Sequence, residues 1–310
     1  MPTAVSLFSG CGGSDLGLTQ AGFDVVWAND KLAYAADVHR ENFPHVEFFH
    51  GDISKVTSFP TADLLVGCYP CQGFSQAGSR RADNNINFLY RQFDRALRQI
   101  KPKAFIVENV SGMRRADLRH LLDNQLRRFR LAGYKVEFSV LNACDFGVPQ
   151  HRERIFIVGI RSDFQTRYQF PKPSHGPSAQ PYVTLGDAIS HLPEWPSGEF
   201  YEDDFHWYYL SRNRYRNWNE VSRTIVAKAR HVPLHPVSPK LRRLHTDAWE
   251  FESDAPARRL SYKEAAIIQG FPEGFKFPDT ASLSAKYTVI GNAVPPPLFR
   301  SIVMNLPDIW

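Results

Sequence analysis

Residues 3–18 read "TAVSLFSGCGGSDLGL". An apolar run that suits a strand passes through Gly10, Gly12 and Gly13 into a helix opening near Ser14 and Asp15. Glycines at such a turn let the backbone approach a ligand closely, and the amides of the helix start can meet an anionic group. The spacing is not G-x-G-x-x-G, which argues against a dinucleotide fingerprint. A glycine-rich turn also serves simply as a tight connection, so the stretch predicts a strand–turn–helix unit before it predicts a ligand.

The same alternation continues outward from that unit. "DVVWAND" (24–30), "VEFFHGD" (46–52), "ADLLVGC" (62–68), "AFIVENV" (104–110), "YKVEFSVLNA" (134–143) and "RIFIVGI" (154–160) read as further strands. "NFLYRQFDRALRQI" and "DLRHLLDNQLRRFRLAG" repeat apolar residues at helical spacing, with Gly133 suited to a helix end. Such alternation predicts an α/β fold with a doubly wound sheet, whose sites lie at the carboxyl ends of its strands. Past about residue 165 the texture changes to Pro, His, Trp and Tyr, with few periodic segments until "SYKEAAIIQGF". A second, smaller, loop-rich domain is therefore expected over about 166–280. "YTVIGNAVPPPLFRSIVMNL" predicts a short turn and an apolar helix that returns to the first domain, which then comprises 1–165 plus about 281–310.

The chain has 310 residues, 43% of them hydrophobic, enough to bury a large core. Its 37 Lys and Arg against 32 Asp and Glu leave a net charge of +5, which permits a polyanionic partner without establishing one. The start, "MPTAVSLFSGCGG", lacks the basic flank and long apolar run of a signal peptide, and no later stretch approaches a membrane span. A cytoplasmic protein with no membrane partner is expected. Four cysteines, at 11, 68, 71 and 144, are too few and too unevenly placed for a disulfide scaffold, so reduced thiols are the default.

Two acids sharpen the reading of the glycine turn. Asp30 ends the second expected strand, where an acid can accept from ribose hydroxyls, and Asp52 ends the third, where it can accept from an adenine amine. With Gly10 and Gly12 they outline a pocket for an adenosine-containing cofactor that needs no phosphate clamp. "GCYPCQGFSQAG" (67–78) raises a separate question about Cys71. A structural zinc site needs about four ligands, and Cys68 with Cys71 finds no second pair at similar spacing, so no metal is expected. The C-x-x-C spacing also fits a redox pair, although Cys68, ending an apolar run, reads as a buried small residue. A third reading makes Cys71 a nucleophile on the loop after the fourth strand, supported by Glu108 and Asn109 in "VENV". The residues alone leave the redox and nucleophile readings open.

The order of the remaining motifs carries more. "LFSGCGGSDLGL", "GD" at 51–52, "PCQGFSQAG", "ENV", "QHRER" at 150–154, "LSYKEAAIIQGFP" and "GNAVP" at 291–295 resemble the ordered signature blocks of DNA (cytosine-5)-methyltransferases. The likeness covers most of residues 3–165 and 258–300. It implies a mixed, doubly wound sheet of the S-adenosylmethionine-dependent methyltransferase type, S-adenosylmethionine as methyl donor, and a target cytosine flipped out of duplex DNA. Cys71 would then add to carbon 6 of the base, while a proton shared between Glu108 and ring nitrogen 3 favours the addition.

A thiol of ordinary pKa, ~8.5, is mostly protonated at neutral pH, so cations beside it help. By the resemblance these are Arg152 and Arg154, with Arg154 also suited to hydrogen-bonding the flipped base. The same likeness assigns cofactor contacts to Phe8, Gly10, Gly12, Asp30, Asp52, Ile53, Pro70, Asn292 and Val294. Pro70 and Gln72 would shape the catalytic loop, and Gln72 and Ser75 would meet DNA from a polar segment able to close over it. Arg259, Glu264 and Gln269 would organise the second domain. Three departures stand out: Tyr69 where the family usually has a first proline, Asp30 where glutamate is usual, and "RRADNNINFLY" in place of the common Asp-x-Arg-Gly pattern.

Residues 211–243 carry Arg212, Arg214, Arg216, Arg223, Lys228, Arg230, Lys240, Arg242 and Arg243 against one acid, Glu220. Interleaved with Tyr215 and Trp218, they suit phosphate contacts and arginine readout of guanine edges. Within the resemblance this is the target-recognition element, and "SRNRYRNWNEVSRTIVAKARHVPLHPVSP" is similar to the recognition region of members that methylate GGCC. The partners implied are double-stranded DNA and a restriction endonuclease acting on the same site, with the chain a monomer because chemistry on one base needs no second subunit. Rival readings are an RNA cytosine-5 methyltransferase, a catalytically silent DNA-binding regulator and a C-x-x-C oxidoreductase. The first predicts a shorter recognition region with its own cysteine motif, the second predicts loss of Cys71 or Glu108, and the third makes Cys68 essential.

Overall fold

A computed structural model of the chain describes residues 1–70, 89–114 and 119–310. β1 (Thr3–Leu7), β2 (Asp24–Asp30), β3 (Glu47–His50), β4 (Leu64–Gly67), β5 (Ala104–Val110), β6 (Tyr134–Asn142) and β7 (Glu153–Arg161) form one sheet in the order β3-β2-β1-β4-β5-β7-β6. Strands β1 to β5 pair in parallel, and β7 lies antiparallel between β5 and β6. This is the mixed, doubly wound sheet expected from the sequence. The chain winds outward through β2 and β3, then returns to lay β4 beside β1. The turns leaving β1 and β4 therefore diverge, which opens a crevice at the carboxyl ends of the two strands.

The described residues divide into two compact units. One comprises Met1–Asn142, Glu153–Lys172 and Leu298–Trp310, the other Ala143–Arg152 and Pro173–Pro297. In the first unit, the strands read as continuous apolar runs because helices cover the sheet. α1 (Gly13–Gln20), α2 (Ala33–Asn42), α3 (Tyr90–Ile100) and α4 (Arg119–Leu131) supply that cover. Phe93 and Leu97 of α3 and Leu122 and Phe129 of α4 are fully buried, and their spacing is the apolar stripe visible in the sequence. The ring of Phe105 on β5 lies 5.7 Å from Phe93 and 4.9 Å from Phe129. Each such buried ring contributes roughly 1.5–3 kcal/mol by its removal from water.

In the second unit, α5 (Leu185–Ile189) and α6 (Tyr262–Gln269) each start at a capping box, Thr184 with Asp187 and Ser261 with Glu264. β8 (Leu241–His245) and β9 (Ala248–Phe251) form a two-stranded hairpin. The segment expected as a short turn before the last helix is instead the second half of α7 (Leu283–Asn292). Its β-branched residues and glycine disfavour a helix in isolation. Tertiary packing overrides that preference: Tyr287 and Ile290, three apart, are fully buried, and a Cβ on Gly291 would stand 2.4 Å from the amide nitrogen of Ala227. α8 (Pro296–Met304) begins in the second unit and continues into the first. There the Phe299 ring lies 6.4 Å from Phe156, and Tyr168 Oη donates to the carbonyl of Ile302 at 2.8 Å. Among the described residues no helix is long and apolar enough to cross a membrane.

Candidate active site

The first unit builds the glycine turn from left-handed backbone. Phe8 at φ 58°, Gly10 at φ 57° and Gly12 at φ 92° turn the chain from β1 into α1. Phe8 is the only one of the three with a side chain, and such strain in a non-glycine residue concentrates at functional sites. Its ring meets Tyr69 edge-on at 5.9 Å. Asp30, at the end of β2, accepts from the Gly10 amide at 3.0 Å through one oxygen and from the Leu32 amide at 2.9 Å through the other. Each carboxylate oxygen keeps a further lone pair, so the group can still take ribose hydroxyls. Burial raises its pKa, and the amides of Leu32 and Gly10 work against that rise.

Asp52 caps the short turn Ile53–Lys55, accepting from the Ser54 amide at 2.8 Å, and this bond lowers its pKa. Ile53 beside it is buried, and Pro70 is exposed at the end of β4. Positive-φ backbone, one carboxylate held ready by two amides and a second kept ionised fit the adenosine part of S-adenosylmethionine, whose cationic centre calls for no phosphate clamp.

On the neighbouring strand, Arg154 Nε lies 2.9 Å from Glu108 Oε1. The register explains the meeting. Val110 stands opposite Arg154 and Glu108 opposite Phe156, so Glu108 and Arg154 are diagonal neighbours on one face of the antiparallel β5–β7 pair. Both side chains are largely buried, which lowers the pKa of Arg154, while Glu108 opposes that change. Asn109, on the opposite face, donates to the Tyr69 carbonyl at 3.2 Å and so ties β5 to the end of β4. Tyr69 Oη donates to Gln125 Oε1 at 2.5 Å. The tyrosine that replaces the usual proline is thus anchored at both its backbone and its hydroxyl.

Cys71, Gln72 and Ser75 lie outside the described residues. Cys68 lies within them, and burial together with the nearby Glu108 holds its thiol well above the ordinary range, opposite to what a reactive thiolate needs. Among the described residues no group of three or more His, Cys, Asp or Glu could hold a metal.

The second unit receives several residues expected at the site. Arg152, two residues before Arg154, donates to the carbonyls of Ile225 at 3.0 Å, Gly291 at 2.8 Å and Ala293 at 3.0 Å, and is 2% exposed. Gln150 accepts from the Ile225 amide at 3.0 Å and donates to the Ile268 carbonyl at 3.0 Å and to Gln269 Oε1 at 2.5 Å. Gln150 and Arg152 therefore join the segment around 225 to α6 and to the end of α7, a role that sequence reasoning missed for Gln150. Only its place at the head of the "QHRER" block hinted at it. Asn292 is exposed at the end of α7, and Val294 is buried.

Of the basic stretch, Arg212, Arg223, Lys228 and Arg230 are exposed. Arg214 instead donates to the carbonyls of Tyr209 and His231 at 3.1 and 3.2 Å, and Arg216 donates to the Tyr215 carbonyl at 2.7 Å. Lys228, Arg230, His231 and Tyr201 line a cleft of about 410 Å³. Trp207 is 80% exposed nearby in the sequence. Arg259 sits 4.3 Å from the Phe205 ring centroid and 4.8 Å from that of Tyr209, and Arg258 pairs with Glu264 at 2.8 and 2.9 Å, so this core is built on cations.

Solved structures share this fold. A DNA modification methyltransferase encoded within an E. coli prophage matches with a TM-score of 0.74 at 21% identity, covering 98% of both chains. S. pombe Dnmt2 methyltransferase matches at 0.71 and 19%, again over 98% of both. The chain shares the fold of these methyltransferases. The family described as C-5 cytosine-specific DNA methylase matches residues 3–307. Type II methyltransferase M.BsuRI of Bacillus subtilis is 38% identical over 96% of this chain and 77% of its own length. M.MthTI of Methanothermobacter thermautotrophicus is 37% identical over 97% and 96%. The chain belongs to the C-5 cytosine-specific DNA methylases and is an enzyme of that family, related to the methyltransferases of type II restriction–modification systems.

Proposed function

We propose that the chain methylates carbon 5 of one cytosine within a GGCC-like site of duplex DNA, with the base flipped into the first unit. The observation that carries this reading is the Glu108–Arg154 pair at the carboxyl end of β5, one strand from the end of β4 that leads into "PCQ". Carbon 5 of cytosine is a weak nucleophile. Addition of the Cys71 thiolate to carbon 6 forms an S–C bond and pushes electron density to carbon 5, and a proton held between Glu108 and nitrogen 3 takes up the charge that would otherwise build on the ring. Arg154 holds Glu108 in place and offers its remaining N–H groups to the base. Bound S-adenosylmethionine supplies the methyl group, and Phe8, Gly10, Asp30, Asp52 and Ile53 hold its adenosine in the first unit. By the family likeness Asn292 and Val294 are further cofactor contacts. Once the carbon 5 proton leaves to a base, β-elimination breaks the S–C bond and returns the thiolate.

Arg152 acts here as an organiser of the second unit, and the exposed cations Arg212, Arg223, Lys228 and Arg230 meet the duplex, joined by Arg214 and Arg216 behind them. The chain works as a monomer in the cytoplasm, protecting sites that a companion endonuclease cuts. The recognition sequence rests on the likeness of residues 211–239 to GGCC-specific members. The test is transfer of labelled methyl groups to unmethylated DNA, mapped by bisulfite sequencing, with Cys71→Ser alongside. Methylation at the internal cytosine of GGCC by the wild type alone is expected. Methylation at a different motif overturns the site, and transfer to RNA alone, or to neither, overturns the DNA reading.

A further inference from the structure

Beneath the glycine turn, α1 and α2 meet β1 through a polar cluster closed to solvent. Asp15 Oδ1 accepts from Ser6 Oγ at 2.5 Å and from Ser14 Oγ at 3.0 Å. Asp15 Oδ2 lies 2.7 Å from Nε2 of His39 on α2, and both side chains are 0% exposed. His39 Nδ1 has no hydrogen-bond partner among the described residues, and its ring lies 4.8 Å from Phe43 and 4.6 Å from Phe48. This arrangement selects the tautomer with its N–H on Nε2, donated to Asp15. The bare Nδ1 then faces aromatic rings, which is cheaper than burying an unmet N–H there.

Stability alone is a poor reason for such a pair, because a buried hydrogen-bonded pair can exchange for apolar residues of the same shape at little cost or even a gain. What the cluster touches is the turn. Ser14 follows directly on Gly12 and Gly13, and a Cβ on Gly12 would stand 3.2 Å from His39 Cδ2 and 2.4 Å from Phe43. His39 and Phe43 thus form the floor on which Gly12 rests. The chain ties the loop after β1 to the helix that follows Asp30, using one carboxylate with three donors.

We propose that Asp15 and His39 form a positioning pair for the cofactor turn, holding Gly10–Gly13 and Asp30 in the one geometry that binds S-adenosylmethionine. This inference rests on the assignment of that turn to the cofactor. The pair touches no reacting atom, so its loss should weaken cofactor binding and leave the chemical step intact. His39→Leu keeps bulk and removes the donor, whereas His39→Gln returns an amide N–H to the place of Nε2–H.

The test uses the full chain, with S-adenosylmethionine affinity by calorimetry and KM and kcat from methyl transfer. His39→Leu should raise the Kd and KM for S-adenosylmethionine about tenfold, leave kcat at saturation within about twofold, and leave the KM for DNA unchanged. His39→Gln should recover most of the loss. Equal affinities in the Leu and Gln variants, or a loss that falls on kcat, overturn the proposal. Should His39→Leu not fold, Ser6→Ala removes one of the three donors without changing the packing, and an unchanged cofactor KM in that variant overturns it equally. Asp30→Ala separates the two layers. If it leaves affinity intact the cofactor assignment fails, and if it weakens binding while the His39 variants do not, only the positioning pair fails.

Discussion

Arg154 Nε meets Glu108 Oε1 at 2.9 Å across the diagonal of an antiparallel strand pair, with side chains 16% and 11% exposed. Largely buried charges of this kind hold each other, since removal of one leaves the other desolvated and unpaired. Arg154→Ala and Glu108→Gln should each lower the single-turnover rate of methyl transfer by roughly 10²–10⁴, the usual span for general acid–base groups. Because the two act as one unit, the double variant should be little worse than either alone. Rapid-quench assays on all three variants check this, and strictly additive losses would mean that Arg154 acts on something other than Glu108.

Asp30 carries a pH dependence whose sign is fixed by its surroundings. Burial raises its pKa above the ordinary carboxylate value of about 3.9. A raised pKa in an acid means that the folded, ligand-free chain gains from protonation of Asp30, a contribution present below the ordinary value and lost as pH rises through the raised one. On the proposed assignment of Asp30 to the ribose, cofactor binding runs the other way, because the hydroxyls would donate to the ionised form. S-adenosylmethionine affinity should therefore fall on acidification, starting above pH ~3.9, and Asp30→Ala should weaken binding and flatten that fall. Calorimetric titrations across pH 4–7 would check it, and an unchanged slope in Asp30→Ala would assign the dependence elsewhere.

These sites differ in how openly the sequence announces them. β1 to β7 were legible because a covered sheet writes itself as apolar runs, and the turn after β1 because left-handed backbone at Gly10 and Gly12 favours glycine. The second unit is less legible for a physical reason. Arg258 and Arg259 hold it from inside through Glu264, backbone carbonyls and aromatic faces, none of which leaves a periodic trace. Arg152 and Arg154 stand two residues apart in "RER", yet one donates to carbonyls of the second unit and the other to Glu108 in the first. Spacing alone could not separate their surroundings, since the difference lies in where each guanidinium finds its acceptors.

His235 makes the second unit sensitive to acid. Burial, with Arg258 beside it, pushes its pKa from the ordinary 6.5 down to about 3. Its Nδ1 accepts from the Val237 amide at 3.2 Å, its Nε2 lies 3.5 Å from Glu264, and Trp218 packs on its ring at 5.1 Å. The unfolded chain binds the proton more readily, so the stability this residue contributes is whole above pH 6.5 and is lost progressively as pH falls toward 3. Urea unfolding followed by Trp fluorescence should show a slope over that range which His235→Gln reduces. An identical slope in the variant would place the acid sensitivity in another group.

The basic stretch divides by what its side chains already do. Lys228 and Arg230 are exposed beside the cleft of about 410 Å³, while Arg214 is engaged by the carbonyls of Tyr209 and His231 and lies 4.9 Å from the Tyr209 ring centroid. A cation that meets only phosphate releases counterions and reads no base. Lys228→Ala should therefore weaken binding to all duplexes alike and reduce the slope of log K against log salt by about one. Loss of an exposed arginine that reaches a guanine edge costs about 1–3 kcal/mol at one position of the site and relaxes the choice of base there. Arg212→Ala and Arg223→Ala are the variants to compare, by competition between GGCC duplexes and their single-base variants. Arg214→Ala should behave differently, lowering the unfolding midpoint before it changes specificity, because two carbonyls and an aromatic face lose their cation together. If Arg214→Ala melts like the wild type but loses base preference, the division between exposed reader and half-buried support is wrong for this stretch.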